Sequence, residues 1–149
     1  MALPVYSDEH YMKEALKMAA QASEDDEIPV GAVMVCKNRI ISRGYNQTEK
    51  LQDSTAHAEM LAITGAFSSL GSKYLPECTL YVTLEPCPMC AGAAFWAQLG
   101  RLVYGARDDK RGYSNFSGKL LHQDTEVLPG ILAGECEKIL KSYFRNLRK

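Results

Sequence analysis

The sequence predicts an α/β fold, a three-layer α/β/α sandwich around a mixed five-stranded sheet. Segments with apolar residues at helical spacing alternate with short apolar runs of strand length, a hairpin stands at the front of that alternation, and no repeat or low-complexity linker interrupts it. With 149 residues, 46% of them hydrophobic, residues 1–149 are expected to form one domain with a proper core.

Residues 7–22 place Met12, Leu16, Ala19 and Ala20 at helical spacing, and Ser7 with the acidic Asp8 and Glu9 opens that helix where negative charge meets the positive end of its dipole. Val30 to Cys36 is an unbroken apolar run, Lys37-Asn38 a turn and Arg39 to Tyr45 a second run, which together read as a hairpin whose first strand is covered on both faces. From His57 a helix is predicted to about Leu70, with Met60, Ile63, Phe67 and Leu70 on its apolar stripe and Gly71 and Pro76 ending it. Thr79 to Leu84 is the third strand.

Cys87 to Gln98 reads as a helix, with Pro86 and Pro88 at a first turn that needs no backbone donor. Its body, Ala91 to Ala97, is apolar nearly all round, so it is expected to be buried on all sides, part of it against a second copy of the chain. Arg101 to Ala106 supplies a fourth strand and Thr125 to Leu128 a fifth. A last helix over 135–147 is strongly periodic through Cys136, Ile139, Leu140, Tyr143, Phe144 and Leu147.

A net charge of −1 excludes broad electrostatic trapping of nucleic acid, so no DNA duplex is expected as a partner. The positive charges are nonetheless clustered: Arg107, Lys110 and Arg111 follow the fourth strand, and Lys138, Lys141, Arg145, Arg148 and Lys149 crowd the tail. That pattern does not exclude a small recognised loop of RNA, although a basic tail is more often a solvated helix face. The segment Met1 to Met18 has no uninterrupted apolar stretch, so neither a signal peptide nor a membrane span is expected, and the location is expected to be cytoplasmic. Of the five cysteines, Cys36, Cys78 and Cys136 fall inside apolar patterns and read as small buried hydrophobes rather than disulfide partners.

The remaining cysteines, Cys87 and Cys90, form a Cys-x-x-Cys at the start of a helix, where the dipole lowers thiol pKa and favours the thiolate that binds metal. Alone, this spacing also fits a redox pair or half of a zinc ribbon. His57 upstream changes the reading, because it offers one neutral nitrogen, and a ribbon would need a second cysteine pair that the chain lacks. His57, Cys87 and Cys90 are therefore expected to bind one Zn²⁺ and leave its fourth tetrahedral position open, the layout of a catalytic site. Glu59 is too near His57 in sequence to ligate the same ion easily, yet it is well placed beside the open position and reads as a catalytic proton carrier. Its plain alternative is an exposed first-turn acid favourable to the helix dipole.

His57-Ala58-Glu59 followed by Pro86-Cys87-Pro88-Met89-Cys90 resembles the signature of the cytidine deaminase superfamily. The likeness extends through Glu27 to Val33, Thr55 to Glu59, Thr79 to Cys87, Cys90 to Ala93, Gly105 to Asp108, Gly130 to Leu132 and Tyr143 to Arg145, all of which look like bacterial TadA-type tRNA adenosine deaminases. The resemblance implies the cytidine deaminase-like sandwich, one zinc per subunit, a homodimer, and hydrolytic conversion of adenosine to inosine at the wobble position of a tRNA anticodon loop. It also implies roles for single residues. Asn46 matches a residue that hydrogen-bonds the base, a job suited to an amide that offers a donor and an acceptor, although it also reads as a turn residue closing the hairpin. The backbone amide of Ala58 and the carbonyl of Leu84 complete base recognition in this reading, and Asp108 accepts from a ribose hydroxyl. Tyr143, Phe144, Arg145 and Arg148 resemble an aromatic and basic tail on which a base stacks and phosphates are held, while Tyr143 and Phe144 also continue the apolar stripe.

One segment departs from that pattern. Many TadA-type enzymes continue after the position of Lys110 with Gly, Ala, a spacer, Gly and Ser; here Arg111-Gly112-Tyr113-Ser114-Asn115-Phe116 stands instead, and the following connection is shorter. The change leaves the metal motif alone and alters the loop nearest the RNA. Two other functions compete: a free nucleobase or nucleoside deaminase of guanine or cytosine type, and a noncatalytic zinc-stabilised RNA-binding subunit. The segment Gly105 to Asp108 together with the Tyr143 to Arg148 tail favours RNA over a free base, and a structural zinc site has no use for Glu59.

Overall fold

The computed structural model describes residues 6–147. Arg148 and Lys149 of the basic tail, and residues 1–5 of the amino-terminal segment, lie outside the described residues. The element order is α1 (Asp8–Glu24), β1 (Gly31–Cys36), β2 (Arg39–Tyr45), α2 (Ala58–Leu70), β3 (Cys78–Leu84), α3 (Pro88–Trp96), β4 (Arg101–Ala106), a 3₁₀ turn (Tyr113–Asn115), β5 (Glu126–Pro129) and α4 (Ala133–Leu147). The strands form one sheet in the order β2-β1-β3-β4-β5. β1 pairs antiparallel with β2 and with β3, while β3–β4 and β4–β5 are parallel, so the sheet is mixed as expected.

Strand alternation sends side chains to two separate cores. Ala32, Met34, Leu80, Val82 and Leu102 pack with Ala62, Ile63 and Ala94 on the side of α2 and α3. Val33, Val35, Tyr81 and Val103 face the other way, against Tyr11, Met12 and Ala15 of α1 and Cys136 of α4. β1 is buried at every position, which is why its sequence is continuously apolar rather than alternating. Pro129 ends the outer strand β5, an edge position where a missing N–H is tolerated.

Helix starts follow their caps. Ser7 accepts from the His10 amide at 3.1 Å to open α1. Asp8 then reaches β4, where both its oxygens meet the Arg101 guanidinium at 2.8 and 2.9 Å and the Tyr81 hydroxyl donates to it at 2.7 Å. Gly71 ends α2 in the left-handed conformation.

α2 buries a smaller set of side chains than expected, and α3 and α4 leave large apolar side chains uncovered within one chain. α2 buries Ala58, Glu59, Ala62, Ile63 and Ala66; of the expected stripe Ile63 is buried, Met60 and Phe67 are partly buried, with Phe67 packed against the core, and Leu70 is exposed. The reason is distance: α2 lies so close to β2 that a Cβ on Gly44 would collide with the Ala58 carbonyl, and only small side chains fit there. α3 buries Cys90, Ala91 and Ala94 but leaves Phe95 37% and Trp96 78% exposed, so within one chain it is not covered on all sides. On α4 only Cys136 is fully buried; Tyr143 is half-buried and its hydroxyl donates to the Asp26 carbonyl at 3.2 Å, whereas Phe144 is exposed. Of the two tail aromatics, then, Tyr143 packs and Phe144 faces solvent.

Cys36, Cys78 and Cys136 are buried free thiols, as the sequence pattern implied. Burial pushes the Cys78 and Cys136 thiols up to about 12, which keeps both as inert thiols. Among the described residues no helix is long and apolar enough to cross a membrane.

Candidate metal centre and active site

Two strand-to-helix passages build the site. The chain leaves β2 at Tyr45, and the Gln47 amide donates to the Ala56 carbonyl at 3.0 Å, so Asn46 lies alongside the segment that leads into His57. His57 caps α2 in extended conformation, with Ala58 and Glu59 in the first helical turn. Leaving β3 through Glu85 and Pro86, the chain caps α3 with Cys87, and Cys90 sits in the first turn behind Pro88. The two helix amino ends thus meet at one place, where their partial positive charges favour anionic ligands.

His57 Nδ1 lies 3.7 Å from Cys87 Sγ and 3.5 Å from Cys90 Sγ. A tetrahedral zinc with bonds of about 2.0 Å to nitrogen and 2.3 Å to sulfur sets such atoms about 3.5 Å apart. The geometry and the donor set both fit that ion, and the three side chains form a group able to hold a metal. Their proton chemistry agrees. The Cys87 thiol is pushed down to about 4, chiefly by a hydrogen bond from Cys90 and also by His57, while Cys90, as the donor of that bond and a buried group, is pushed up. Metal binding releases protons from such thiols, because the ligand form is the thiolate.

Glu59 is only 4% exposed and lies in the first turn of α2, two residues after His57. Burial pushes its carboxyl up to about 7, into the range suited to moving protons at neutral pH. The exposed first-turn acid foreseen as its plain alternative is therefore not what the fold makes of it. Asn46 is 7% exposed, and its side-chain oxygen Oδ1 is buried with no hydrogen-bond partner among the described residues. A buried orphan acceptor is costly unless something donates to it. Ala58 is fully buried at the first position of α2, where backbone N–H groups have no partner within the helix, and Leu84 ends β3 opposite Ala106 of β4.

Asp108 follows β4 at the rim. Its Oδ1 accepts from the Lys110 and Arg111 amides at 3.1 and 2.9 Å, closing the turn that carries those cations. Arg107, Lys110 and Arg111 are exposed beside it. On the tail, Leu140, Lys141, Phe144 and Arg145 line a shallow surface pocket. A cavity of about 640 Å³ between Cys36, Arg39, Leu70, Tyr74 and Pro76 lies at the opposite end of β1 and β3, remote from this chemistry.

Two buried acids near the site were not singled out from the sequence. Glu27, 1% exposed, accepts from the Glu49 and Lys50 amides at 3.0 and 2.7 Å and so ties down the loop after Asn46. Glu85, 2% exposed, accepts from the Asp108 and Ser114 amides at 3.2 and 3.0 Å. Each has a proline within the next two residues, in Glu27-Ile28-Pro29 and Glu85-Pro86, but nothing in those segments announces a partner more than twenty residues away.

The model of the cytidine and deoxycytidylate deaminase zinc-binding region matches residues 5–106, the stretch that carries both metal-binding motifs. The tRNA-specific adenosine deaminase of Bacillus subtilis (strain 168) is 48% identical over 147 residues, covering 95% of this chain and 91% of the relative. A structure solved in a study of A-to-I editing by tRNA:A34 deaminases at the wobble position of transfer RNA superposes with a TM-score of 0.83 at 43% identity, over 88% of this chain and 99% of that one. The guanine deaminase of Nitrosomonas europaea superposes equally well, at 0.82, but with 27% identity, over 96% of this chain and 85% of that one. The shared backbone is thus common to several deaminases, whereas the extent of identity separates them, and on that ground the chain belongs to the cytidine and deoxycytidylate deaminase zinc-binding family, on the branch of the tRNA-specific adenosine deaminases.

Proposed function

We propose that this protein is a zinc-dependent hydrolase that converts adenosine to inosine at the wobble position of a tRNA anticodon. The observation that carries the reading is the His57-Cys87-Cys90 cluster with the buried Glu59 carboxyl against it, in a chain 48% identical to a tRNA-specific adenosine deaminase. His57, Cys87 and Cys90 hold the zinc ion. When bound, zinc would supply Lewis acidity and make water a competent nucleophile at neutral pH.

The chain's own residues do the rest. Glu59 takes one proton from the attacking water and gives it to the ring nitrogen, then takes the hydroxyl proton of the resulting adduct and gives it to the amine, so that the carbon–nitrogen bond to the amine breaks, a carbonyl forms and ammonia leaves. Asn46 uses its orphan Oδ1 to accept from the base, which removes the cost of leaving that atom unpaired. The Ala58 amide and the Leu84 carbonyl orient the ring. Asp108 has committed Oδ1 to its own turn, and its second oxygen accepts from a ribose hydroxyl of the anticodon loop. Phe144 stacks on a base while Lys141 and Arg145 meet phosphates. Residues 1–149 act as one deaminase domain in the cytoplasm. Two copies pair through the exposed Phe95 and Trp96 on α3.

A second reading, a guanine deaminase, is favoured by the superposition on the Nitrosomonas europaea enzyme. One assay separates the two. The zinc-loaded protein is incubated with an anticodon stem-loop bearing a wobble adenosine, and free guanine, cytosine and adenosine are run in parallel. Inosine in the RNA with no turnover of the free compounds is expected; turnover of guanine alone would overturn the assignment.

A further inference from the structure

The segment that departs from the family pattern, Arg111 to Phe116, is folded around a single carboxylate. Glu85 comes one residue after β3 and leads through Pro86 into the Cys87 cap. One of its oxygens accepts from the Asp108 amide and the other from the Ser114 amide, at 3.2 and 3.0 Å, so that one side chain grips the loop at both ends. The backbone reinforces this grip: the Tyr113 amide donates to the Pro86 carbonyl at 2.8 Å, and the Glu85 amide donates to the Ala106 carbonyl at 2.8 Å. Gly112 lies directly on the carboxylate, and a Cβ added there would collide with all three atoms of that group. A carboxylate suits this place because it is acceptor-only at both oxygens, and both facing groups are donors.

We propose that Glu85 is a positioning residue for substrate recognition: it locks the loop 107–116 onto the metal-bearing segment and so sets where Asp108 and its neighbouring cations meet the RNA. This rests on the RNA reading above, in which Asp108 touches the anticodon loop. Its consequence is separable from catalysis, because Glu85 touches the loop and not the metal-binding atoms, and because the rigid Pro86 stands between it and Cys87. An amide in its place keeps the shape but turns one oxygen into a donor, which faces another donor and loses one of the two clamps.

The test compares wild type, Glu85→Gln and Gly112→Ala on the wobble-adenosine stem-loop, with RNA affinity measured by fluorescence anisotropy and zinc by elemental analysis. KM and the RNA dissociation constant are expected to rise about tenfold in Glu85→Gln, with kcat within about twofold and zinc content unchanged. Trypsin is expected to cut faster after Arg107, Lys110 and Arg111 in the same variant, which reports the freed loop without any assay of activity. Unchanged KM and affinity, a loss confined to kcat, or a loss of zinc would each overturn the proposal. Should Glu85→Gln fail to fold, Gly112→Ala breaks the same contact from the loop side and is judged by the same criteria. If the wild type neither edits nor binds the stem-loop, the RNA reading and this proposal fall together; if it edits and the variants match it, only the role of Glu85 falls.

Discussion

Glu59 shows how little a residue's type decides without its surroundings. An acid in the first turn of a helix is ordinarily a solvated partner of the dipole; here it is buried beside the sulfurs, and burial lifts its carboxyl to about 7. Replacing it with Gln should leave fold and zinc content intact while lowering the deamination rate by about 10³-fold or more, the scale of a lost general acid–base. Retained zinc with retained turnover would contradict the assignment. Cys87→Ala and Cys90→Ala should behave in the opposite manner, losing zinc from a purified preparation measured by elemental analysis, because a divalent ion held by two remaining ligands is readily lost. Unchanged metal content in either variant would mean that other atoms bind it.

At the scale of elements, two close junctions hold the layers together. The first joins α1 to β4 through Asp8, whose carboxyl the Arg101 hydrogen bonds hold below the usual carboxylate range, aided by Tyr81. Since the folded value is the lower one, the stabilisation is fully present above the unfolded pKa near 4 and is lost as pH falls through the folded value. Asp8→Asn should lower the melting temperature by about 3 °C at neutral pH, equivalent to about 1 kcal/mol for a partly exposed pair, and the gap from wild type should close in acid. A gap that widens in acid would reverse the sign. The second junction is α2 on β2. Gly44→Ala sets a methyl group against the Ala58 carbonyl and should cost about 1–3 kcal/mol in a denaturation experiment, with a rise in KM because Ala58 would be displaced.

For the whole molecule, the exposed aromatic pair on α3 bears on assembly. Trp96 at 78% exposure and Phe95 beside it, ring centroids 5.6 Å apart, are an unusual surface for an isolated chain of net charge −1. Light scattering after size exclusion should find a dimer for the wild type and a monomer for Trp96→Glu. A wild type that runs as a monomer would place those rings in some other role.

Element types, their order and the metal-binding set were legible in the sequence because each rests on local chemistry. Periodicity of apolar residues reports helix or strand, and a His-x-Glu with a Cys-x-x-Cys reports a donor set whatever the path between them. The mixed sheet followed from a hairpin ahead of alternating helices and strands, and β1 through β4 appear within a residue of their expected limits. Other features were decided only by tertiary structure. The tight seat of α2 on Gly44 lined its buried face mainly with alanines, the uncovered rings of α3 appeared only once the other elements had packed, and the orphaned oxygen of Asn46 is defined by which neighbours fail to reach it. Glu27 and Glu85 belong to the same class, since a carboxylate becomes a loop anchor only when amides distant in the chain are folded against it. Side-chain pattern carries information about the nearest turn or strand; burial and hydrogen-bond partnership are properties of packed segments, and exist only when those segments meet.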